Sequence, residues 1–279
     1  MTTRFFQPAK RDQAFVKALF SGFDGTGKTL TAYLLAKGII QEFYDEETPL
    51  FMADTEKGSA FLVKDAERIG LKFLVSKTRV FGDLVKMIDE AEAHHAVLLI
   101  DSLSHFWADL RRAKRAANGG APLGPSDWDE IGALWAEFSD RFVNSSCHII
   151  ATARAGWEYD EVLDAGGNKS SAKMGEKIKA QSEFGFEPSL RVEMAREPRA
   201  AGRARGRKRV VRGGLWTYAA YVMKDRSGTI NGQRFEDPTF EQFLPAVQAL
   251  NLGGDHKGVE TDASSARIFE RAGAQDVRL

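Results

Sequence analysis

Two kinds of hydrophobic pattern alternate along this chain. Short apolar runs, which are typical of buried strands, are followed by longer stretches whose apolar residues recur at helical spacing. The first such pair is a strand at residues 16–23 and a helix at residues 28–43. Further strands are predicted at 49–55, 71–76, 96–102 and 147–153, and further helices at 58–69, 81–94, 104–117, 126–145 and 240–250. This alternation predicts an α/β fold whose sheet is mostly parallel and carries helices on both faces.

The pattern changes in the second half of the chain. A polar segment with several lysines occupies residues 157–186, and two alternating strands follow at 190–194 and 215–223. The stretch between these strands is strongly basic, so the sequence predicts a C-terminal β-hairpin extension with a long cationic tip at residues 196–214. Residues 253–279 are polar and are predicted to form a weakly ordered tail.

The composition is that of an ordinary globular protein, with 43% hydrophobic and 28% charged residues in a chain of 279. No apolar run is long enough to cross a bilayer, and the first residues lack the hydrophobic core of a secretory signal. We therefore expect a cytoplasmic protein with no membrane partner. Cys147 is the only cysteine, which excludes an intrachain disulfide, and the five histidines show no metal-ligand spacing.

Charge is unevenly distributed along the chain. The 39 basic and 39 acidic residues cancel, yet residues 196–212 hold eight Arg or Lys side chains and one Glu. Such a run is either a solvated loop or a surface for a phosphate backbone, and the motifs around it favour the second interpretation. The predicted phosphate contacts in the tip are Arg203, Arg205, Arg207, Lys208 and Arg209.

Residues 22–29, GFDGTGKT, match the pattern GxxxxGK[ST] between a predicted strand and a predicted helix. Glycines in such a loop allow backbone N–H groups to converge on phosphate oxygens, Lys28 neutralises the β and γ phosphates, and the Thr29 hydroxyl can ligate Mg²⁺. The sequence therefore predicts a nucleoside triphosphate site. Its predicted ATP-binding residues are Gly22, Asp24, Gly25, Thr26, Gly27, Lys28, Thr29 and Leu30.

Two acidic motifs follow predicted strands, where an enzyme with such a loop needs carboxylates. Asp101 ends the apolar run VLLID and is the expected second metal residue opposite Thr29. Asp54 and Glu56 end another strand, and a carboxylate there can orient and deprotonate the water that attacks the γ-phosphate. We predict that Glu56 is the general base. Asp54 is the alternative base or a cap of the next helix, and a solvated turn is the alternative for both.

The order of these motifs resembles the RecA-like branch of P-loop ATPases, in which the catalytic acid lies on the strand beside the phosphate loop. The finer resemblance is to phage-encoded RecA-like ATPases related to single-strand-annealing recombinases. It is carried by ADTEKGSA, IDSLSHFW, HIIATARAGWEYD and KMGEKIKAQSEFGFE, which occur in this order between residues 53 and 187. The similarity covers about residues 6–226.

This resemblance implies an organisation and an activity. It implies an N-terminal arm at 1–15, a RecA-like ATPase core at 16–252 and a tail at 253–279. The implied activity is Mg²⁺-dependent ATP hydrolysis coupled to single-stranded DNA in annealing or strand pairing, in host cytoplasm. The implied partners are single-stranded DNA, further copies of the chain in a ring or filament, and a single-strand-binding protein as an additional candidate.

The resemblance also assigns roles to particular residues. Thr152 or Arg154 takes the place of the polar sensor that reports the γ-phosphate, although the broader pattern often has Gln there. Lys224 and Arg226 resemble a basic pair that acts in the nucleotide site of a neighbouring subunit; the alternative is an ordinary strand-end charge cluster.

Phe6-Gln7-Pro8-Ala9 has the form FxxA, which in RecA-like recombinases adds a strand to the neighbouring subunit. Phe6 and Ala9 are thus candidate oligomerisation residues, and a core-covering aromatic is the alternative for Phe6.

Single-stranded DNA is expected on a loop at residues 154–190. This stretch interleaves lysines with Trp157, Tyr159 and Phe184, a mixture that holds the backbone and stacks on unpaired bases. The lysines are favoured over the rings as contacts. They are Lys173, Lys177 and Lys179, with Lys169 nearby.

Other functions compatible with the phosphate loop are a helicase loader or motor, an ATP-gated DNA-binding assembly module with negligible turnover, and a small-molecule kinase. The kinase is disfavoured because no lid with clustered arginines is evident.

Overall fold

The structure, a computed structural model, describes residues 13–163, 169–199, 216–252 and residue 256. Its first part alternates strands and helices: β1 Lys17–Gly22, α1 Lys28–Phe43, β2 Leu50–Asp54, α2 Ser59–Arg68, β3 Phe73–Ser76, α3 Phe81–Ala93, β4 Val97–Asp101, α4 Leu103–Ala117, α5 Pro125–Asn144 and β5 Ile149–Leu163. Its second part contains β6 Lys169–Ile178, a 3₁₀ helix Ser182–Phe186, β7 Leu190–Pro198, β8 Trp216–Asp225, β9 Arg234–Glu236 and α6 Phe240–Gln248.

The strands form one sheet in the order β3-β2-β4-β5-β1-β7-β8-β9, and β6 pairs with β5 only. In this spatial order, all neighbouring strands from β3 to β7 pair in parallel. Strands β8 and β9 are added antiparallel at the end of the sheet. The predicted α/β class with a mostly parallel sheet and a C-terminal hairpin is confirmed. One expectation is wrong: β2, which precedes Glu56, is not beside the phosphate-loop strand, because β4 and β5 separate it from β1.

Helices cover both faces of the sheet. All six residues of β1 are buried, as expected for a central parallel strand whose two faces are both covered. Phe20 packs on the face that carries α1 and α6, whereas Leu19 packs on the face that carries α3, α4 and α5. Two hydrophobic cores therefore hold the carboxyl ends of the parallel strands in fixed positions.

Residues at the N-termini of α5 and α6 explain where these two helices begin. Pro125 opens α5, and the Asp127 carboxylate accepts a hydrogen bond of 2.8 Å from the Gly124 N–H. At α6 the Gln242 side chain accepts a hydrogen bond of 2.7 Å from the Thr239 N–H. Within the described ranges, no helix is both long and apolar enough to cross a membrane.

The segment expected to be a DNA-binding loop is largely a β-ribbon, which is a correction to the prediction. Strand β5 continues beyond the sheet to Leu163, and β6 returns antiparallel to it, from Leu163 opposite Lys169 to Ala155 opposite Ile178. The ribbon is defined here as residues 155–163 with 169–178. Charged residues interrupt its apolar positions in the sequence, and the pairing between its two strands reveals it.

Strands β7 and β8 form the predicted antiparallel hairpin and are longer than expected. The tip of this hairpin, with Arg203, Arg205, Arg207, Lys208 and Arg209, lies outside the described residues. The same is true of Phe6 and Ala9 in the arm and of the tail apart from His256.

Candidate functional site

The loop after β1 passes so close to β7 and β8 that glycine is required. A Cβ on Gly22, where φ is +154°, would lie 2.4 Å from the carbonyl oxygen of Met194. At Gly27, where φ is +87°, a Cβ would meet the Tyr218 ring at 3.2 Å. Helix α1 begins at Lys28, so its free N–H groups face the loop and form an anion-binding end.

Lys28 folds back on this loop. Its ammonium donates a 2.6 Å hydrogen bond to the carbonyl oxygen of Phe23, which also accepts a 2.8 Å bond from the Thr26 hydroxyl. Burial lowers the pKa of Lys28, and the acidic side chains of Glu56 and Asp101 oppose that shift. The loop thus holds a partly desolvated cation where the motif predicts phosphate.

Thr29 and Asp101 lie together at the start of α1 and the end of β4. The Thr29 hydroxyl donates a 2.9 Å hydrogen bond to Asp101 Oδ2, and the Thr152 hydroxyl donates to Asp101 Oδ1. Burial raises the pKa of Asp101, against the effect of both hydrogen bonds. A divalent cation would favour the charged carboxylate, and this oxygen pair suits Mg²⁺.

The described residues contain no group of three or more His, Cys, Asp or Glu side chains able to hold a metal ion. Thr29 and Asp101 would hold Mg²⁺ together with oxygens from phosphate and water, as is usual for this ion.

Glu56 extends from the end of β2 toward β5. Its Oε1 accepts hydrogen bonds of 2.9 Å from the Ser102 hydroxyl and 2.9 Å from Arg154 Nε. Burial tends to raise the pKa of Glu56, but the hydrogen bonds and the positive charge of Arg154 outweigh it, so this pKa lies below its ordinary value. The carboxylate is therefore charged at neutral pH.

Thr55 holds the strand ends on either side of Glu56 together. Its hydroxyl lies 2.9 Å from the carbonyl oxygen of Asp101 and 2.6 Å from His105 Nδ1, and it accepts a 2.8 Å bond from the Ser102 N–H. Arg79 donates two hydrogen bonds, of 2.9 and 2.7 Å, to the Thr55 carbonyl oxygen. Glu56 is thus attached to a rigid joint between β2 and β4.

The Asp54 carboxylate binds backbone groups of the turn that follows it. Its carboxylate accepts backbone hydrogen bonds from Glu56 at 3.1 Å, Gly58 at 3.0 Å and Ser59 at 3.0 Å. Burial tends to raise the pKa of Asp54, but these bonds and the Ser59 hydroxyl lower it overall. The geometry favours the helix-capping role for Asp54 over the role of base.

An open cavity of about 430 Å³ lies at the carboxyl end of β1 and beside Arg154, where β5 leaves the parallel sheet; ligands bind at this edge in open α/β sheets. It brings together three predicted parts of the site, the phosphate loop, Glu56 and Arg154, and also Lys179, which the sequence assigned to DNA. Its lining residues are Gly22, Phe23, Asp24, Lys28, Glu56, Arg154, Ala155 and Lys179.

Lys224 and Arg226 are not near this cavity. Gly22 is aligned with Met194 and Ala220, whereas Asp225 is aligned with Leu190 at the opposite end of the sheet. Lys224 is aligned with Arg191, three residues before Met194, so at about 3.3 Å per residue the basic pair begins about 10 Å along the strands from the phosphate loop of its own chain. The Lys224 ammonium donates a hydrogen bond of 2.5 Å to the carbonyl oxygen of Phe186.

The predicted DNA residues differ in their surroundings. Lys177 is exposed near the base of the ribbon, and the backbone of Lys173 lies in β6 opposite Tyr159. Phe184 is buried against core aromatics, so its proposed use as a base platform is wrong. Trp157 is partly exposed and packs on Phe23 of the phosphate loop, with ring centroids 4.5 Å apart.

Leu30 is half exposed in the first turn of α1. Sequence reasoning missed several residues around the loop. Ser102 follows Asp101 directly and could have been noticed by that adjacency, whereas His105, Arg79 and Tyr218 have no local signal, because only the tertiary structure brings them to the site.

Residues 14–212 match the model of a family described as AAA domain, a family of P-loop ATPases. No curated protein sequence matches the chain. The match covers most of the chain and includes the phosphate loop, Glu56, Asp101 and the ribbon. The chain therefore belongs to the AAA domain family of P-loop ATPases.

Proposed function

We propose that the protein is an Mg²⁺-dependent ATPase that couples hydrolysis to single-stranded DNA in phage-type recombination or strand annealing. The observation that carries the ATPase part is the position of Glu56, a charged carboxylate in the wall of the cavity that Lys28 also lines. Family membership supports nucleotide binding, and the phage recombinase resemblance supplies the biological setting.

Each group has a chemical task in this proposal. The Lys28 ammonium and the N–H groups of α1 compensate phosphate charge, and Thr29 and Asp101 hold the metal ion, which supplies further charge stabilisation when bound. Glu56 orients a water molecule and accepts its proton. The water oxygen forms a bond to the γ-phosphorus, while the bond from that phosphorus to the β–γ bridging oxygen breaks and ADP leaves.

The ribbon is the proposed route from nucleotide to DNA. It continues directly from Arg154 in the cavity wall, and it ends next to Lys179 in the same wall. Lys177 and Lys173 would follow a nucleic-acid backbone without reading its sequence. The proposed sensors of the γ-phosphate are Thr152 and Arg154. Thr152 donates a hydrogen bond to Asp101, and Arg154 donates one to Glu56.

Self-assembly is proposed through the edge of β3, which is the last strand of the sheet among the described residues. An apolar cavity of about 180 Å³ opens beside it and is lined by Phe51, Leu74 and Met87 among others. We propose Phe6 of a second copy as its occupant, with Ala9 in the strand added to β3. Lys224 and Arg226, which are remote from their own loop, would then act in a neighbouring site.

Phosphate release with and without Mg²⁺ and single-stranded DNA tests the ATPase, alongside direct measurement of ATP binding. Lys28→Ala should lose tight ATP binding, because it removes charge compensation. Glu56→Gln should keep ATP binding and lose most hydrolysis, because it removes only the base.

Parental turnover in Glu56→Gln would overturn the assignment of the base. ATP binding without turnover in the unaltered protein, at any DNA concentration, would indicate the ATP-gated assembly module. Duplex unwinding or a phosphorylated acceptor would instead indicate a motor or a kinase.

A further inference from the structure

Lys179 is far from the phosphate loop in sequence, yet it lines the same cavity as Lys28, Glu56 and Arg154. It directly follows the ribbon, one residue beyond the end of β6. Its backbone N–H donates a 2.7 Å hydrogen bond to the carbonyl oxygen of Arg154. This bond fixes the base of the Lys179 side chain at the point where β5 leaves the cavity.

Gly156 provides the space for the Lys179 side chain. A Cβ at Gly156 would lie 2.6 Å from Lys179 Cε, 3.3 Å from Cγ and 3.5 Å from Cδ. The aliphatic stem of the lysine therefore runs over the glycine backbone. A residue with a side chain at position 156 would displace that stem.

The charges of the cavity explain why a third cation is useful there. Its lining contains the carboxylates of Asp24 and Glu56, and a triphosphate would bring several more negative charges. Arg154 already donates a hydrogen bond of 2.9 Å to Glu56, and Lys28 donates one to the carbonyl oxygen of Phe23. Lys179 adds a positive charge from the ribbon side, opposite the loop.

We propose that Lys179 is a phosphate-binding residue of the nucleotide site in its own chain, and that it stabilises the charge that develops on the γ-phosphoryl group during hydrolysis. The inference rests on the proposed ATPase function and deepens it. Because Lys179 follows β6 directly, a ligand that moves the ribbon would move this cation relative to the nucleotide.

Lys179→Gln tests the proposal, with Lys86→Gln on the exposed surface of α3 as the matched control. In the absence of DNA, Lys179→Gln should lower kcat by about 100- to 1000-fold, the order found when one donor that stabilises transition-state charge is removed. Lys86→Gln should keep kcat within about twofold. Lys179→Arg should restore part of the activity, because it restores the charge.

Gly156→Val provides a second variant that keeps the lysine. It should reproduce the fall in kcat, and a thermal unfolding curve identifies any general loss of folding. Single-stranded DNA affinity is measured for the same proteins as a function of salt, with Lys177→Gln as the reference for a lost DNA contact.

Unchanged DNA-free kcat in Lys179→Gln, with a flatter salt dependence like that of Lys177→Gln, would overturn the proposal and make Lys179 a DNA contact. The ATPase proposal itself fails in a different way: it is wrong if the unaltered protein neither binds nor hydrolyses ATP. If the unaltered protein hydrolyses ATP and Lys179→Gln hydrolyses it at the same rate, only the assignment of Lys179 is wrong.

Discussion

The ion pair between Glu56 and Arg154 is the most consequential contact at the residue scale. Its nitrogen and oxygen are 2.9 Å apart, and the Arg154 side chain is 49% exposed. An ion pair this accessible contributes little stability, because water competes for both partners. A bound γ-phosphate could therefore draw Arg154 away and leave Glu56 free to engage water.

Arg154→Gln should change how hydrolysis depends on pH. The proposed base, Glu56, can accept a proton only when it is deprotonated, and Arg154 helps to hold its pKa below the ordinary value. Without Arg154 that pKa rises, so kcat should begin to fall at a higher pH as the solution is acidified. The measurement is kcat against pH for both proteins, each normalised to its own plateau.

The same variant should also lose stimulation by single-stranded DNA while keeping more ATP affinity than Lys28→Ala. Arg154 would not be the sensor if Arg154→Gln lost activity at the same acidic pH as the unaltered protein and was stimulated equally by single-stranded DNA. Thr152 would then be the remaining candidate.

At the scale of elements, the phosphate loop depends on the strands behind it. A Cβ at Gly22 would lie 2.4 Å from the Met194 carbonyl oxygen, which is fixed in β7 and cannot move as a side chain could. Gly22→Ala should therefore destabilise the fold by about 1–3 kcal/mol and weaken ATP binding.

Gly132→Ala in α5 is the matched control, because the added Cβ would meet no described atom within 4 Å beyond its chain neighbours and the backbone of its own helix, and alanine favours a helix. It should stabilise the protein by up to about 1 kcal/mol. Urea unfolding and ATP titration of both variants provide the comparison; equal stability of the two would show that β7 does not constrain the loop.

Elements with strong local patterns were predictable from the sequence. Helix α1 has the predicted bounds, Lys28–Phe43, because an anion-binding loop precedes it and its apolar positions repeat regularly. The ribbon was not, because charged residues interrupt the apolar positions of its sequence and its two strands pair with each other. The site divides in the same way: Lys28 and Asp101 belong to contiguous motifs, whereas Lys179 reaches the cavity only through strand pairing.

At the scale of the whole molecule, the end of the sheet opposite the cavity contains two buried basic groups. The Lys17 ammonium donates hydrogen bonds to the carbonyl oxygens of Ser145, at 2.9 Å, and Cys147, at 2.5 Å. His148 Nδ1 accepts a 2.9 Å hydrogen bond from the Val16 N–H. Burial lowers the pKa of Lys17 to about 8 and that of His148 to about 3.

His148 should make stability depend on pH in the acid range. Its folded pKa of about 3 lies below the ordinary histidine pKa of 6.5, so the unfolded chain binds the proton more readily. The stability it contributes is complete above about pH 6.5 and is lost as the pH falls toward about 3. The free energy of unfolding should fall by up to about 1.4 kcal/mol per pH unit in that window from this group.

His148→Gln is the comparison, because glutamine can still accept the hydrogen bond from Val16 and does not titrate. Urea unfolding at several pH values between 4 and 7 should give a shallower dependence for the variant. Parallel dependences would mean that His148 becomes protonated in the folded protein.

The contact between Phe23 and Trp157 has an optical consequence. Phe23 supplies the carbonyl oxygen that Lys28 binds, and its ring lies 4.5 Å from that of Trp157, which belongs to the ribbon. Indole emission responds to such neighbours, so a shift of the loop on nucleotide binding, or of the ribbon on DNA binding, should alter it. With the other four tryptophans replaced by phenylalanine, Trp157 would serve as an intrinsic fluorophore that times both events in a single stopped-flow trace.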